Sequence, residues 1–590
     1  MPFLFAAILL LILVLNGFGF AVYTLNPQNK SNLLLVVSLS FWFGLISIYV
    51  FDIFAYYTIG KLTVKQIAFL QTAIFLPISA YLYVKFRPRR FTIKKPYLVP
   101  FFAAVTSFAI NTKPMWSASS LSYYYLNNGE YSNYSLLADS VKFNTNSFQP
   151  GGPWGVNSRE AVTSIIISHF SSLFGTPTIW ITQLMASMFL FVTVLLLGIG
   201  LLIHFESKPI YGKSLFICLI SLSYGINVTT QVFWTLSFFS QYVSIVIIVG
   251  TFVVLNLMGS NNTNSNFKVL ITSTIALLLL SAVYPEMFLV HFALIAGLTF
   301  IEGSQSRLVD IGKKLLLLPV WLFFLYIISP TKFTFQLSTP SSGGWNIFGS
   351  LDEPIRFVAN LSGLANPFTP EYPLASSLVW IVVFSILLMA ISLIKEKAVL
   401  HQSSSFILAF FITVAFTILI YIQYKNVQTN FMLMKFLIGF SWIPYFYVSK
   451  LVISVDKFRW FPVSCVLILA VFQFHQTTIM SSVYFNSSKA EIYLKSDADR
   501  FRKQFSKDHF CATSSFMGRY ELFLLNNEDI FTEANQWPTY SPSELATNRS
   551  ASCNVLIIGS KAHYPDLSSM LNGYTLKHSD NGYEVFSILD

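Results

Sequence analysis

Two carboxylates stand out in a long polar stretch between apolar runs. Glu130 and Asp139 are the only acids between the fourth apolar run and Arg159, inside the segment 113–177. At this separation on a helix they would face the same side only loosely. Together they could hold a divalent ion, because carboxylate oxygens are hard ligands, although no cofactor or metal-ligand spacing is evident. The plain alternative is that both are loop carboxylates in water.

A third acid lies at a predicted membrane border. Tyr284-Pro285-Glu286 separates two apolar runs, and an ionisable group in such a place is a functional candidate. The alternative is structural, since proline favours the first position of a helix and an acid favours its first turn. Glu286 is therefore a candidate for substrate binding rather than an assigned site.

Two basic side chains, those of Lys435 and Arg356, could bind a negatively charged group. Lys435 lies one turn into an apolar run, where a lysine must extend to the membrane surface or pair with a negative group. Arg356 could bind phosphate, but Asp352 and Glu353 are close by. An exposed ion pair is the simpler explanation for Arg356.

Polar and aromatic residues accompany these charges. The segment 227–241 could be re-entrant, with Gln231, Trp234 and Gln241 lining a cavity. Tyr131 belongs to an aromatic group in the first long loop. Aromatic belts at the membrane surface explain many such residues, and sugar rings also stack on aromatic faces. The group comprises Trp116, Tyr123, Tyr124, Tyr125, Tyr131, Tyr134 and Trp154.

The elements that must position these residues are membrane helices. The chain is 54% hydrophobic and 11% charged, whereas a soluble domain has about 25% charged residues. Continuous apolar runs of this length predict transmembrane helices, not a barrel. The run from Phe3 to Val22 lacks a positive start, so we expect a retained first span. About fourteen spans are predicted, near 3–24, 33–54, 67–84, 97–112, 178–203, 214–228, 237–259, 268–284, 287–302, 314–329, 376–394, 405–423, 430–449 and 459–476.

Basic residues give the helices a direction. A cluster between spans three and four predicts a cytoplasmic loop by the positive-inside rule, not a nucleic-acid site. Taken together, the cluster and every second loop from it hold more Lys and Arg than the loops between them, which places the N-terminus outside. The long segments 113–177 and 330–375 and the tail 484–590 then lie on the extracytoplasmic side. The cluster consists of Lys85, Arg87, Arg89, Arg90, Lys94 and Lys95.

The tail has the pattern of a small α+β domain. Residues 487–507 have helical composition, and Val555–Gly559 is a short apolar strand. Asp580-Asn581-Gly582 predicts a hairpin turn between strands at 574–576 and 583–588. If the tail is outside, Cys511 and Cys553 could form a disulfide.

The first long loop resembles that of GT-C integral membrane glycosyltransferases. A basic inner loop and a span precede it, and Asn128-Gly129-Glu130-Tyr131 lies early in it. An apolar segment at 161–174, too short to span, follows and ends at Phe174-Gly175. We expect it to lie along the membrane interface or to pack on the spans. In that family the loop follows the first span and its acid is more often aspartate. Residues 1–95 would thus precede a GT-C-like module at 96–483.

The resemblance implies an enzyme of the plasma (inner) membrane. It would move a sugar from a polyprenyl-phosphate donor to a glycan or lipid-linked acceptor of the cell envelope. Glu130 matches the family's base, with Asp139 as second choice, and Lys435 would meet the lipid phosphate. A polysaccharide flippase or transporter, a polysaccharide polymerase and a non-catalytic scaffold are the alternatives.

Overall fold

A computed structural model shows a helical bundle and two β-sheets. The residues that it describes are 2–25, 27–59, 62–113, 122–125, 134–135, 137–138, 141, 158–204, 212–227, 230, 239–258, 263–284, 442, 445, 461–485, 491–494, 499, 503, 510–513, 539–540, 556–560, 569, 574–579 and 583–588.

Nine described helices coincide with predicted spans. The helices, including two that are not predicted spans (α2 and α6), are α1 Pro2–Thr24, α2 Pro27–Lys30, α3 Leu33–Ile59, α4 Val64–Phe86, α5 Leu98–Thr112, α6 Ser158–Phe174, α7 Thr178–His204, α8 Lys213–Gly225, α9 Phe239–Met258, α10 Thr263–Val283 and α11 Phe461–Phe485, with a 3₁₀ turn at Lys95–Tyr97 before α5. Apart from Trp442 and Tyr445, the predicted spans at 287–302, 314–329, 376–394, 405–423 and 430–449 lie outside the described residues.

Several of these helices are apolar enough to cross a bilayer. Within the described part, Leu4–Thr24, Leu33–Ala55, Val64–Phe86 and Thr178–Ile203 meet both the length and the composition of a membrane span. Other apolar helices, such as Lys213–Gly225 and Phe239–Leu255, are shorter. The chain is therefore a helical membrane protein.

Glycines let α1 and α3 approach each other backbone to backbone. A side chain at Gly17 of α1 would overlap the carbonyl oxygen of Ser40, and one at Gly44 of α3 would overlap that of Leu13. Small residues at such positions are typical of membrane helix pairs, because lipid supplies no hydrophobic drive between helices and close van der Waals contact replaces it.

Hydrogen bonds of buried polar side chains connect α4 to α1. The Gln71 amide donates to the Asn16 side chain at 3.2 Å. The Ser79 hydroxyl donates to the Leu15 carbonyl at 2.9 Å and accepts from the Gly19 amide at 2.9 Å. Interhelical hydrogen bonds of this kind stabilise membrane bundles modestly, by about 0.6 kcal/mol on average.

The ends of the helices meet in accordance with the predicted topology. Segments 25–32 and 85–95, both predicted to be cytoplasmic, join where the Thr92 amide donates to Ser31 at 2.8 Å and the Leu33 amide donates to Thr92 at 3.0 Å. At the opposite end, the Asn111 amide of α5 donates to the carbonyl of Gly225 at the end of α8, at 3.2 Å. Asn111 and Gly225 lie near the ends of the predicted spans 97–112 and 214–228, both of which are predicted to run from the cytoplasmic side to the extracytoplasmic side.

Five described strands of the tail are β3 Phe510–Thr513, β4 Thr539–Tyr540, β5 Leu556–Ser560, β6 Tyr574–Ser579 and β7 Tyr583–Ile588. They form a mixed sheet in the order β4-β3-β5-β7-β6. Strand β3 is parallel to β4 and β5, and β7 is antiparallel to β5 and β6. The predicted strand at 555–559 and the predicted hairpin are confirmed. Cys511 lies in β3, while Cys553 lies outside the described residues.

A second, two-stranded sheet joins the first long loop to the beginning of the tail. We call this loop, residues 113–177, the first outer loop after its predicted side of the membrane. Strand β1, Ser122–Tyr125, runs antiparallel to β2, Glu491–Leu494, with Tyr124 opposite Ile492. The expectation of helix across 487–507 is therefore wrong at residues 491–494. A strand partner that is distant in sequence outweighs a weak local helix preference.

The pairing of β1 with β2 predicts a specific cross-link. In a background in which all four cysteines are replaced by serine, Tyr124→Cys with Ile492→Cys should form a disulfide under mild oxidation. Directly opposite residues lie about 4.5–5.5 Å apart at Cα, which a disulfide can bridge. Mass spectrometry of digested protein would detect the linked peptides.

A diagonal pair is the control for that cross-link. In Tyr124→Cys with Leu494→Cys, the Cα atoms of the two cysteines would be about 7–8 Å apart, which is beyond the ordinary reach of a disulfide. Equal disulfide yields from the two pairs would contradict the register of β1 on β2. If neither pair formed a disulfide, the contact between these two strands would be contradicted.

Candidate functional site

A hydrogen-bonded group of four buried side chains lies at the predicted outer end of the bundle. The hydroxyls of Tyr134 and Ser240 are 2.8 Å apart. Ser240 donates to the Gln241 side-chain oxygen at 2.8 Å, and the Gln241 side-chain nitrogen donates to the Tyr284 hydroxyl at 3.0 Å. We call Tyr134, Ser240, Gln241 and Tyr284 the outer network.

The outer network connects three parts of the chain that are far apart in sequence. Tyr134 belongs to the first outer loop, Ser240 and Gln241 belong to the first turn of α9, and Tyr284 directly follows α10. All four are at most 6% exposed. Buried hydrogen-bonded side chains of this kind fix a single arrangement, because breaking one bond leaves a polar atom without a partner.

The loop segment around Tyr134 is held by further contacts to α6 and α7. Thr178 donates to the Ser135 carbonyl at 3.1 Å, and the Ser135 and Thr182 hydroxyls are 2.7 Å apart. Ser168 of α6 donates to the carbonyl of Ala138. Tyr134, Ser135 and Ala138 are buried. The part of the loop that immediately precedes Asp139 is thus anchored in the bundle.

Helix α6 is the apolar segment predicted at 161–174. Its side chains from 163 to 172 are all buried, so of the two expected placements the structure has the helix packed on the spans. Its Thr163 carbonyl accepts from Tyr49 of α3 at 2.9 Å, and its Thr163 hydroxyl donates to Val283 of α10 at 2.7 Å. The helix ends at Gly175, which has φ +59°, a conformation that glycine adopts without strain.

A buried pair of ionisable side chains that sequence reasoning missed lies between α3 and α6. Nδ1 of His169 is 2.8 Å from Oδ2 of Asp52, and both side chains have no exposed surface. The sequence did carry a signal, because Asp52 is the one charged residue in the predicted span 33–54, and such residues are rare and functional.

Two described residues between α8 and α9, Asn227 and Thr230, contact each other and α9. The Thr230 amide donates to the Asn227 side chain at 2.7 Å, and the Tyr242 hydroxyl donates to the Thr230 carbonyl at 2.6 Å. Gln231 and Trp234 lie outside the described residues, so whether this segment lines a cavity stays a prediction.

Of the predicted site residues, the structure describes Gln241 and places it in the outer network. Its role in substrate binding stays a prediction. The outer network brings together the stretches next to two predicted acids, since Tyr134 is four residues after Glu130 and Tyr284 is two residues before Glu286. The predicted residues outside the described part are Glu130, Tyr131, Asp139, Glu286, Arg356 and Lys435.

Within the described residues, no group of three or more His, Cys, Asp or Glu side chains could hold a metal ion. Glu130 and Asp139, the carboxylates that could hold one together, lie outside that part of the chain. A divalent ion at this pair therefore stays a prediction.

Comparison with known proteins gives matches to solved structures. No protein-family model and no curated protein matches the chain. The chain is similar to the solved structure of ArnT from Cupriavidus metallidurans bound to undecaprenyl phosphate, with a TM-score of 0.35, 11% sequence identity, and coverage of 83% of this chain and 97% of that one. The apo state of the same protein matches with a TM-score of 0.34 and 12% identity.

Proposed function

We propose that this chain is an integral membrane glycosyltransferase of the GT-C type. It transfers a sugar, a hexose or a pentose, from a polyprenyl-phosphate donor to a glycan or lipid-linked acceptor at the extracytoplasmic face of the plasma membrane. The observation that carries the proposal is the outer network, which fixes the stretch after Glu130 against the stretch before Glu286.

Chain geometry supports a shared site for these two acids. Residues four apart are at most about 14 Å apart, and residues two apart at most about 7 Å. Glu130 and Glu286 are each tethered at such a distance to a side chain of the outer network, Tyr134 and Tyr284. We therefore expect the two carboxylates at the same end of the bundle, where a substrate could contact both.

The proposed chemistry is a substitution at the anomeric carbon of the donor. Glu130 accepts the proton of the acceptor hydroxyl as its oxygen attacks that carbon, because a sugar hydroxyl is a weak nucleophile without a base. The bond between the anomeric carbon and the phosphate oxygen breaks, and the electron pair leaves with polyprenyl phosphate. Lys435 stabilises the charge on the departing phosphate, and Arg356 is a second candidate for that contact.

The remaining predicted residues would orient the sugar. Tyr131 would stack on a sugar face, and Gln241 and Glu286 would hydrogen-bond its hydroxyls. Gln241 suits this role because its side chain is already held rigidly by Ser240 and Tyr284, and a preorganised polar group loses little entropy on binding.

A transfer assay tests the proposal. The full chain in lipid nanodiscs would be given synthetic undecaprenyl-phosphate donors carrying radiolabelled hexoses or pentoses, with an extract of envelope glycans and lipids as acceptor. We expect label to move to the acceptor fraction and undecaprenyl phosphate to be released in equal amount. A heat-inactivated sample controls for spontaneous hydrolysis.

The same preparation separates transferase from transporter. If no donor is consumed but a fluorescent polyprenyl-phosphate sugar crosses the bilayer of liposomes that contain the protein, the chain is a flippase and the proposal is wrong. If neither process occurs with any donor, a polyprenyl-phosphate substrate is excluded.

A further inference from the structure

Asp52 and His169 are two ionisable groups with no role in the proposed chemistry. They face each other at 2.8 Å between α3 and α6, and neither has exposed surface. Oδ1 of Asp52 and Nε2 of His169 have no hydrogen-bond partner among the described residues. Removing two ionisable groups from water is costly, and a well-packed apolar pair in the same place is often as stable or more so. Stability alone is therefore a poor reason for this pair.

The surroundings of the pair are polar but carry no other charge among the described residues. Tyr49 lies one turn before Asp52 on α3, and its hydroxyl donates to the Thr163 carbonyl of α6 at 2.9 Å. Ser164 and Ser172 of α6 are also buried. Contacts between α3 and α6 near the pair are thus directional, and they define how far α6 is rotated and translated along α3.

A sequence of contacts connects the pair to the candidate site. The neighbour of His169, Ser168, donates to the carbonyl of Ala138, which immediately precedes Asp139. The same short loop segment contributes Tyr134 to the outer network. A shift of α6 by one residue would move these groups by about 1.5 Å along the helix and rotate them by about 100°.

We propose that Asp52 and His169 are positioning residues that set the register of α6 on α3 and so align the first outer loop for sugar transfer. This inference rests on the proposed function. It gives the N-terminal helices a role, because residues 1–95 supply one half of the contact that locates the loop. Buried ionic groups that specify one register at some cost in stability have precedents in other helical proteins.

Three variants and a matched control test the pair. Asp52→Leu with His169→Leu removes both ionisable groups. Asp52→His with His169→Asp exchanges them. Asp52→Asn alone removes the carboxylate that faces His169. Asn16→Leu with Gln71→Leu removes another buried polar pair, between α1 and α4, at 3.2 Å.

The measurements separate positioning from folding. In the transfer assay we expect the double-leucine variant to keep its melting temperature and donor KM, while kcat falls about tenfold to a hundredfold, the size of effect that a 1 Å misplacement produces. The exchanged pair should recover most of that loss. The Asn16/Gln71 control should keep the kcat of the wild type. Wild-type kcat in the double-leucine variant would overturn the proposal.

A second measurement does not require transfer activity. Hydrogen–deuterium exchange of residues 134–141 and of α6 should be faster in the double-leucine variant and near wild type in the exchanged pair. If the wild type transfers no sugar but this pattern appears, the proposed function fails and the register role stands. If exchange is unchanged in the double-leucine variant, the register role fails.

Discussion

Replacing Glu130 by glutamine is expected to lower the kcat of sugar transfer by about 10²–10⁴-fold, the usual contribution of a general base. Glutamine has nearly the same shape, but its amide cannot accept a proton at the moment of attack. The melting temperature and the amount of folded protein should stay within error of the wild type, because surface and loop substitutions rarely change stability by more than about 0.5 kcal/mol. Single-turnover release of undecaprenyl phosphate would measure the rate.

Asp139→Asn is the matched control for Glu130→Gln. Asp139 lies in the same loop and is the second choice for the base, so with Glu130 as the base its replacement should retain most of the activity. If Asp139→Asn loses sugar transfer and Glu130→Gln keeps it, Asp139 is the general base. If both variants transfer at the wild-type rate, neither acid is the base.

Apolar runs predicted the described spans well, because a bilayer demands long helices whose backbone groups are satisfied internally. The structure places α3 at Leu33–Ile59 and α7 at Thr178–His204, where the sequence predicts spans at 33–54 and 178–203. The hairpin around 580–582 was predictable for another local reason, since Asp-Asn-Gly favours the tight turn that joins two antiparallel strands.

Contacts between distant segments were not predictable from composition. The local sequence at Glu491–Leu494 does not predict β1 as its strand partner, so a helix was expected there. The contact between Asp52 and His169 was likewise missed because its two residues lie on helices from different parts of the chain. A lone acid in an apolar run was nevertheless an unusual feature. Pairing of this kind depends on how helices pack, which periodicity does not specify.

The candidate site was predictable in part. Gln241 was expected to line a cavity, which stays a prediction, and the structure places its side chain between Ser240 and Tyr284. Tyr134, which the sequence offered only as one of many loop aromatics, is buried, and its hydroxyl lies 2.8 Å from that of Ser240. Its importance follows from a hydrogen bond across 106 residues of sequence, which no short motif encodes.

Gly44→Ala is expected to be strongly destabilising for a change that adds a single methyl group. The new carbon would overlap the carbonyl oxygen of Leu13 and lie 2.7 Å from its carbonyl carbon, and a backbone group cannot rotate away as a side chain can. Alanine gains about 1 kcal/mol of helix propensity over glycine, but separating α1 from α3 should cost about 3 kcal/mol or more, at the upper end of overpacking penalties. Thermal denaturation in detergent, followed by intrinsic fluorescence, would show a lower melting temperature.

Gly200→Ala makes the comparison quantitative, because it adds the same methyl group to another buried span. There the new carbon would lie 3.1 Å from a terminal methyl of Val253, a flexible group that can move by a few tenths of an ångström. The gain in propensity then offsets the crowding, so this variant should melt near the wild-type temperature or slightly above it. Equal destabilisation by both substitutions would mean that glycine is needed for chain flexibility rather than for the close approach of α1 and α3. A normal melting temperature for Gly44→Ala would show that these two helices do not touch backbone to backbone.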